Sequence, residues 1–246
     1  KKTKLKNKSI VLDIGSNDGT CLLNFKKKGM RVIGVDPAKK PCEKAKSKGV
    51  DSINSFFDNK IRKKIIKSYG KVDFVTSHNT LAHVENLKSI FENIYHVLKE
   101  DGYFCFEIGY FKEVLKNKYF DTIYHEHLDY HHANPLVKFL TKLGFSIVDI
   151  NTVKIQGGSL RVLCKKDGKK NFSKKVELFM KNEKKTIIFN KQFISSWEKK
   201  IKNNMKIVRH KILDKVSDNF IYGYGSPTKI ILFLKMLDLP KNKIKF

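Results

Sequence analysis

Hydrophobic and polar positions change period at short, regular intervals along the chain. The apolar run of residues 10–12 has a Lys-rich stretch before it and a glycine-bearing turn after it, which predicts a buried strand. Over residues 19–28 the spacing of Leu22, Leu23 and Phe25 becomes that of a helix. A second strand is predicted over 31–35. A helix follows over 37–48, with Pro37 in its first turn, where a missing N–H costs nothing. The alternation continues with a strand over 50–53, a helix over 58–68, a strand over 72–76, an amphipathic helix over 86–98 and a strand over 102–108. A helix over 135–143 and strands over 145–150 and 156–163 complete it. Alternation of this kind across residues 9–165 predicts an α/β, doubly wound sheet.

Past residue 173 the pattern changes. Phe193, Trp197, Ile201, Met205, Val208, Ile212 and Val216 recur every three to four residues, so one face of a long helix is expected to pack in a core or between domains, or to bind a partner. Residues 219–229 then repeat the layout of strand, glycine turn and helix. A single unit of that kind cannot bury both faces of its sheet, so it reads as the start of a second α/β domain. The expected division is a first domain over 1–170, a helical connector over 171–217 and the opening of a C-terminal domain over 218–246.

Composition changes this picture little. Hydrophobic residues make up 41% of the 246, enough for a full core. The formal net charge of +27 raises nucleic acid as a partner. Against that, the cations are almost all lysines spread over the whole chain, with Arg only at 31, 62, 161 and 209, whereas nucleic-acid sites concentrate Arg and aromatics in one patch. The cysteines at 21, 42, 105 and 164 have no CxxC spacing, so the expectation is reduced thiols, no zinc site and a cytoplasmic setting. No apolar run reaches about 18 residues, so no membrane-spanning helix is expected. Nothing in the chain speaks to oligomeric state.

Candidate chemistry concentrates in two places. The first turn carries Asp13, Gly15, Ser16, Asn17 and Gly19. Its order is not that of a dinucleotide GxGxxG, and an acid two residues before the first glycine suits a cationic amine better than a pyrophosphate. The second predicted strand ends at Asp36 followed by Pro37, where a carboxylate can accept both hydroxyls of a ribose. An ammonium partner at Asp13 and a ribose partner at Asp36 together describe S-adenosylmethionine (SAM). Phe57, at the end of the third strand, is placed to flank an adenine, while His78 and Asn79 follow the fourth strand at the sheet edge where such folds hold ligands. Glu107 interrupts an apolar strand and requires a partner. The second concentration is residues 120–132, with four histidines, three acids and two tyrosines. A metal site fits poorly there, because His131 and His132 are adjacent and poorly placed to share an ion with His125 and His127.

The blocks VLDIGSNDGT, GVDPA, SHNTLAHV, FEIGY, FDTIYHEH, GGSLRV and YGYGSPTK, in this order, resemble the sugar C-methyltransferases, which methylate C3 of nucleotide-linked 4-keto-deoxysugars. The resemblance implies a Rossmann-like class I methyltransferase sheet, followed by a long helix and the start of a second Rossmann-like domain. It further implies SAM as cofactor and a nucleotide sugar as substrate. Members usually carry a Cys-rich N-terminal zinc module and a longer C-terminal domain, so the chain reads as a fragment or a pared-down member.

The implied chemistry is sound, since a proton beside a ketone can be removed by a positioned base when the enolate oxygen is stabilised. His127 is the expected base, with Glu126 to fix its tautomer and Tyr124 and His83 as donors to the enolate oxygen. Glu107, Tyr110, Gly158, Ser159 and Arg161 are expected to contact the substrate, with Gly225, Ser226 and Lys229 at its diphosphate. Two readings stay beside this one: a SAM-dependent enzyme acting on oxygen or nitrogen of another small molecule, and a noncatalytic binding protein.

Overall fold

Alternation within the first strand shows how the sheet is buried on both faces. In β1 (Ile10–Ile14), Ile10, Leu12 and Ile14 point into one apolar cluster and Val11 into another. The computed structural model describes residues 3, 5–186, 190–216, 219–225 and 227–245. After β1 come α1 (Thr20–Lys26), β2 (Arg31–Asp36), α2 (Lys39–Ser47), β3 (Asp51–Asn54), α3 (Asn59–Tyr69), β4 (Val72–His78), α4 (Leu87–Val97) and β5 (Leu98–Gly109). Side chains set the helix starts. Asp58 accepts from the Ile61 N–H at 2.8 Å and Asn86 from the Ser89 N–H at 2.9 Å, each satisfying a donor that the helix leaves open. α5 (Phe111–Asn117), α6 (Ala133–Lys142), β6 (Phe145–Val153), β7 (Ser159–Lys166) and α7 (Lys174–Lys184) follow.

The seven strands lie in the order β3-β2-β1-β4-β5-β7-β6. β1 to β5 are parallel, and β7 is antiparallel to both β5 and β6. The order reverses between β1 and β4, and the carboxyl ends of those two strands are where such a sheet opens a crevice. α3, α4 and α6 cover one face, with Phe91 touching Phe104, Phe106 and Phe139 at 5.5–5.7 Å, and α1 and α2 cover the other.

The chain divides into two compact units. The first is Lys1–Tyr110 with Leu128–Lys184 and contains the sheet; the second is Phe111–His127 with Lys185–Phe246. This differs from the expected division in two ways. α7, which the sequence pattern did not resolve, packs on β6 and α6 as part of the first unit. Residues 111–127, placed by the sequence pattern within a first domain over 1–170, group with the second unit and include α5.

In the second unit, α8 (Lys191–Val216) buries Ile201 and Met205 against Leu237 of α9 (Ile230–Leu237), and Phe120, Trp197, Val208 and Ile212 pack beside them. The apolar repeat of α8 is therefore a core face. Trp197 Nε1 donates to the Leu115 carbonyl at 2.8 Å, tying α5 to α8. β8 (Ile221–Tyr222) and β9 (Ile244–Lys245) form a separate two-stranded parallel pair.

Candidate cofactor cavity and base loop

A cavity of about 670 Å³ opens at the carboxyl ends of β1, β2, β4 and β5. The turn after β1 shapes its wall. Gly15 has φ +73°, and a Cβ there would lie 2.0 Å from Thr80 Oγ1, so both the backbone angle and the space require glycine. The N–H groups of Gly15 and Ser16 donate to the Val35 carbonyl at 2.9 and 3.2 Å. Asn17, with φ +48°, donates its N–H to Asp36 Oδ2 at 2.9 Å, and the Ala38 N–H reaches Asp36 Oδ1 at the same distance. The Asp36 carboxylate thus fastens the turn while it lines the cavity. The Ser16 hydroxyl is buried without a hydrogen-bond partner among the described residues.

Asp13 lines the cavity and is 2% exposed. Thr76 on β4 donates its hydroxyl to Asp13 Oδ1 at 2.7 Å. Burial pushes the Asp13 carboxyl up to about 6, overriding the Thr76 hydrogen bond and the nearby His78, which both lower it, while Asp36 adds to the rise. At the far wall, His78, Glu107 and Arg161 stand opposite one another in register across β4, β5 and β7. His78 Nδ1 lies 3.5 Å from Glu107 Oε2, and Arg161 Nε donates to Glu107 Oε1 at 2.6 Å. The partner that a buried Glu107 requires is therefore Arg161. Cys21 also lines the cavity; burial first, then neighbouring Asp13, Cys105 and Glu107, push its thiol up to about 12, so it stays protonated.

The cavity brings together Asp13, Gly15, Ser16, Asn17, Asp36 and Pro37 with His78, Asn79, His83 and Glu107. It adds Asp18, Thr20, Cys21, Thr80 and Ile155, which no feature of the sequence pattern singles out. Thr80 could have been found only from the space left by Gly15, and Ile155 only from the hairpin between β6 and β7.

Four expected residues take other places. Phe57 is 4% exposed and packs in the apolar cluster with Ile61 and Ile65; Phe56, at 75%, is the aromatic turned to solvent. Gly19, with φ +76°, caps α1 against Ala45 and Val50 rather than lining the cavity. Tyr110, expected at the substrate, is buried, and its hydroxyl donates to Glu183 Oε1 at 2.8 Å. Ser159 is fully buried, and its hydroxyl donates to the Ile155 carbonyl at 3.1 Å, which closes the hairpin. The Gly158 carbonyl likewise accepts from the Tyr110 N–H at 3.1 Å.

Residues 120–127 of the candidate base loop belong to the second unit. The loop's 3-10 turn, Phe120–Thr122, stands on α9 through Phe120. Thr122 donates its hydroxyl to the Tyr119 carbonyl at 2.8 Å, and His127 Nδ1 lies 2.8 Å from the Thr122 carbonyl oxygen. Glu126, expected to fix the tautomer of His127, is exposed, and the Thr122 backbone carbonyl lies at Nδ1. The Tyr124 and His127 rings are 4.5 Å apart. Lys229 lies 3.7 Å from Asp121 Oδ2, and Gly225, with φ +79°, has open space where a Cβ would be. Ser226 lies outside the described residues. Leu128, which follows His127 and belongs to the first unit, donates its N–H to the Ala82 carbonyl at 2.9 Å, beside the exposed His83.

Comparison with known proteins agrees with this architecture. A methyltransferase-domain family matches residues 2–150, and a C-methyltransferase C-terminal-domain family matches residues 154–246. The C-methyltransferase NovU of Streptomyces niveus is 28% identical over 242 residues, covering 96% of this chain. The chain spans 57% of that relative's length. Among solved structures, the PH0226 protein of Pyrococcus horikoshii has a TM-score of 0.53 at 18% identity, covering 67% of this chain and 84% of its own. Magnesium protoporphyrin IX methyltransferase of Synechocystis with bound SAH has a TM-score of 0.51 at 16% identity, covering 65% of this chain and 75% of its own. At these identities the solved structures speak for the fold alone.

Proposed function

The chain belongs to the family of SAM-dependent C-methyltransferases, and on that premise we propose that it transfers a methyl group from SAM to a carbon, C3, of a nucleotide-linked 4-keto-deoxysugar. The observation that carries the carbon-methylating reading is the hydrogen bond at His127. A carbonyl oxygen cannot donate, so the Thr122 carbonyl holds the proton on Nδ1 and leaves the ring's basic lone pair on Nε2. That is the tautomer a general base requires, and proton removal from carbon is the step that separates C-methylation from methylation of an oxygen or nitrogen lone pair.

The residues of the cavity fit the cofactor. Asp13 would hold its ammonium, Asp36 would accept from its ribose hydroxyls, and the turn at Gly15 allows close approach of the backbone. When bound, SAM supplies a methyl group on a sulfonium, an electrophile that needs no metal. His127 would take the proton beside the ketone, and Tyr124 and His83 would donate to the oxygen that gathers charge. Glu107 with Arg161 would bound the acceptor side of the cavity. Gly225 and Lys229, with Ser226, would meet the diphosphate, Lys229 contributing a point charge.

The experiment is transfer from SAM labelled with ¹³C in its methyl group to a thymidine-diphosphate-linked 4-keto-deoxysugar. The NMR shift of the labelled methyl in the product distinguishes carbon from oxygen and nitrogen. A carbon-bound methyl at C3 supports the proposal; a label on oxygen or nitrogen defeats it.

A further inference from the structure

Glu183, in the last turn of α7, carries a carboxylate that is 1% exposed and lies outside the cofactor cavity. It accepts four hydrogen bonds. On Oε1 they come from the Tyr110 hydroxyl at 2.8 Å and the Ala133 N–H at 2.7 Å. On Oε2 they come from the Asn134 N–H at 2.7 Å and its side-chain amide at 2.6 Å. Burial opposes the charge, but the donors of Asn134, Ala133 and Tyr110 outweigh it and hold the carboxyl below its ordinary range. Ala133 and Asn134 open α6, and His132 before them makes no side-chain cap, so a carboxylate from another helix supplies the acceptor that the open N–H groups need.

These partners share a place in the chain. Tyr110 is the residue at which the chain leaves the first unit for residues 111–127, and Ala133 stands six positions after His127. One carboxylate therefore holds the chain on both sides of the segment that carries Tyr124 and His127. A parallel bridge between Tyr110 and His131 draws the same two ends together. Pinning both ends cuts the conformations open to the segment between them.

From this arrangement we infer that Glu183 is a positioning residue for the base: by fixing both roots of the loop it holds His127 in the geometry that proton removal from carbon requires. The inference rests on the reading of His127 as the base, and deepens it. Proton transfer is steep in distance, and a misplacement of about 1 Å can cost on the order of a hundredfold in rate. Cofactor binding does not share that dependence, because Tyr110, Ala133, Asn134 and Glu183 are all absent from the lining of the cofactor cavity.

The test is Tyr110→Phe in the full chain, which deletes the tie to the end of β5 and leaves the cap on α6. Deuterium exchange at C3 of a thymidine-diphosphate-linked 4-keto-deoxysugar is followed with SAH bound, and SAH affinity is measured by calorimetry, both at a temperature where circular dichroism shows the variant folded. Exchange is expected to slow by about tenfold or more, with SAH affinity unchanged. Glu183→Gln is expected to slow exchange further, and the milder Tyr110→Phe stands alone where Glu183→Gln fails to fold. Added to His127→Ala, Tyr110→Phe is expected to leave the residual exchange unchanged, because the clamp acts through His127. Exchange at the wild-type rate in Tyr110→Phe overturns the inference and leaves His127 as the base. So does an equal slowing with and without His127, or a parallel loss of SAH affinity, each the mark of a merely structural role. Absence of exchange in wild type overturns the reading on which the inference rests.

Discussion

Arg161 meets Glu107 through two nitrogens, Nε at 2.6 Å and Nη2 at 2.5 Å from the same carboxylate oxygen, although 54 residues separate them in sequence. Antiparallel pairing of β5 and β7 puts the two directly opposite each other. Glu107 is 3% exposed, so its charge depends on that partner. Replacing Arg161 by Met keeps the apolar stem and removes the charge. Breaking a fully buried pair costs about 3–5 kcal/mol; because Arg161 is itself half exposed, about 2–3 kcal/mol is expected here. Urea unfolding of Arg161→Met beside wild type measures it. A loss under about 0.5 kcal/mol would mean that Glu107 is neutral or otherwise paired.

Asp13 ties the cofactor site to pH. Its folded value of about 6 lies above the ordinary 3.8, chiefly because of burial, so the unliganded fold favours the protonated form. The contribution to stability is fully present below about 3.8 and is lost as pH rises through 6, a difference on the order of 3 kcal/mol. A bound cation favours the ionised form. SAM affinity is therefore expected to hold above pH 7 and to fall toward tenfold per unit below pH 6, with proton release on binding near pH 6. Calorimetry in buffers of different ionisation enthalpy checks this, and a flat affinity from pH 5 to 8 would remove Asp13 from contact with the ligand's charge.

Gly15 is constrained twice, by φ +73° and by Thr80 Oγ1 2.0 Å from where a Cβ would be. Gly15→Ala is expected to lower stability by about 1–3 kcal/mol, the scale for a strained backbone conformation. Thr80→Ala in the same chain removes the two closest atoms but not the strain, so it should recover part of the loss. Thermal unfolding of the single and double variants decides; full recovery would show that sterics alone require glycine.

The parallel sheet was legible because its strands are continuous apolar runs and its turns carry glycines or acids at fixed offsets. Asp13, Asp36, His78 and Glu107 could be placed on strand ends for the same reason, and all four line the cavity. Burial within a motif was not legible. Tyr110 and Ser159 sit in blocks that look functional, yet their hydroxyls are spent on Glu183 and the Ile155 carbonyl, contacts set by tertiary packing. Phe56 and Phe57 are adjacent and identical in type, and only tertiary packing decides which one enters the core. Nor could spacing show that residues 111–127 pack with the second unit, because the contacts that decide it, Phe120 with α9 and Trp197 with Leu115, join segments far apart in sequence.

The central claim is that His127 removes a proton from carbon. It is tested most directly by following the C3 proton of a nucleotide-linked 4-keto-deoxysugar by NMR in D₂O, with the full chain and SAH in place of the methyl donor. Wild type is expected to wash deuterium into C3. His127→Ala is expected to slow that exchange by at least about a hundredfold, the lower range for loss of a general base, while SAH binding persists. Exchange at the wild-type rate in His127→Ala would contradict the assignment and turn attention to His83; no exchange in wild type under conditions where methyl transfer proceeds would contradict an enolate formed ahead of transfer.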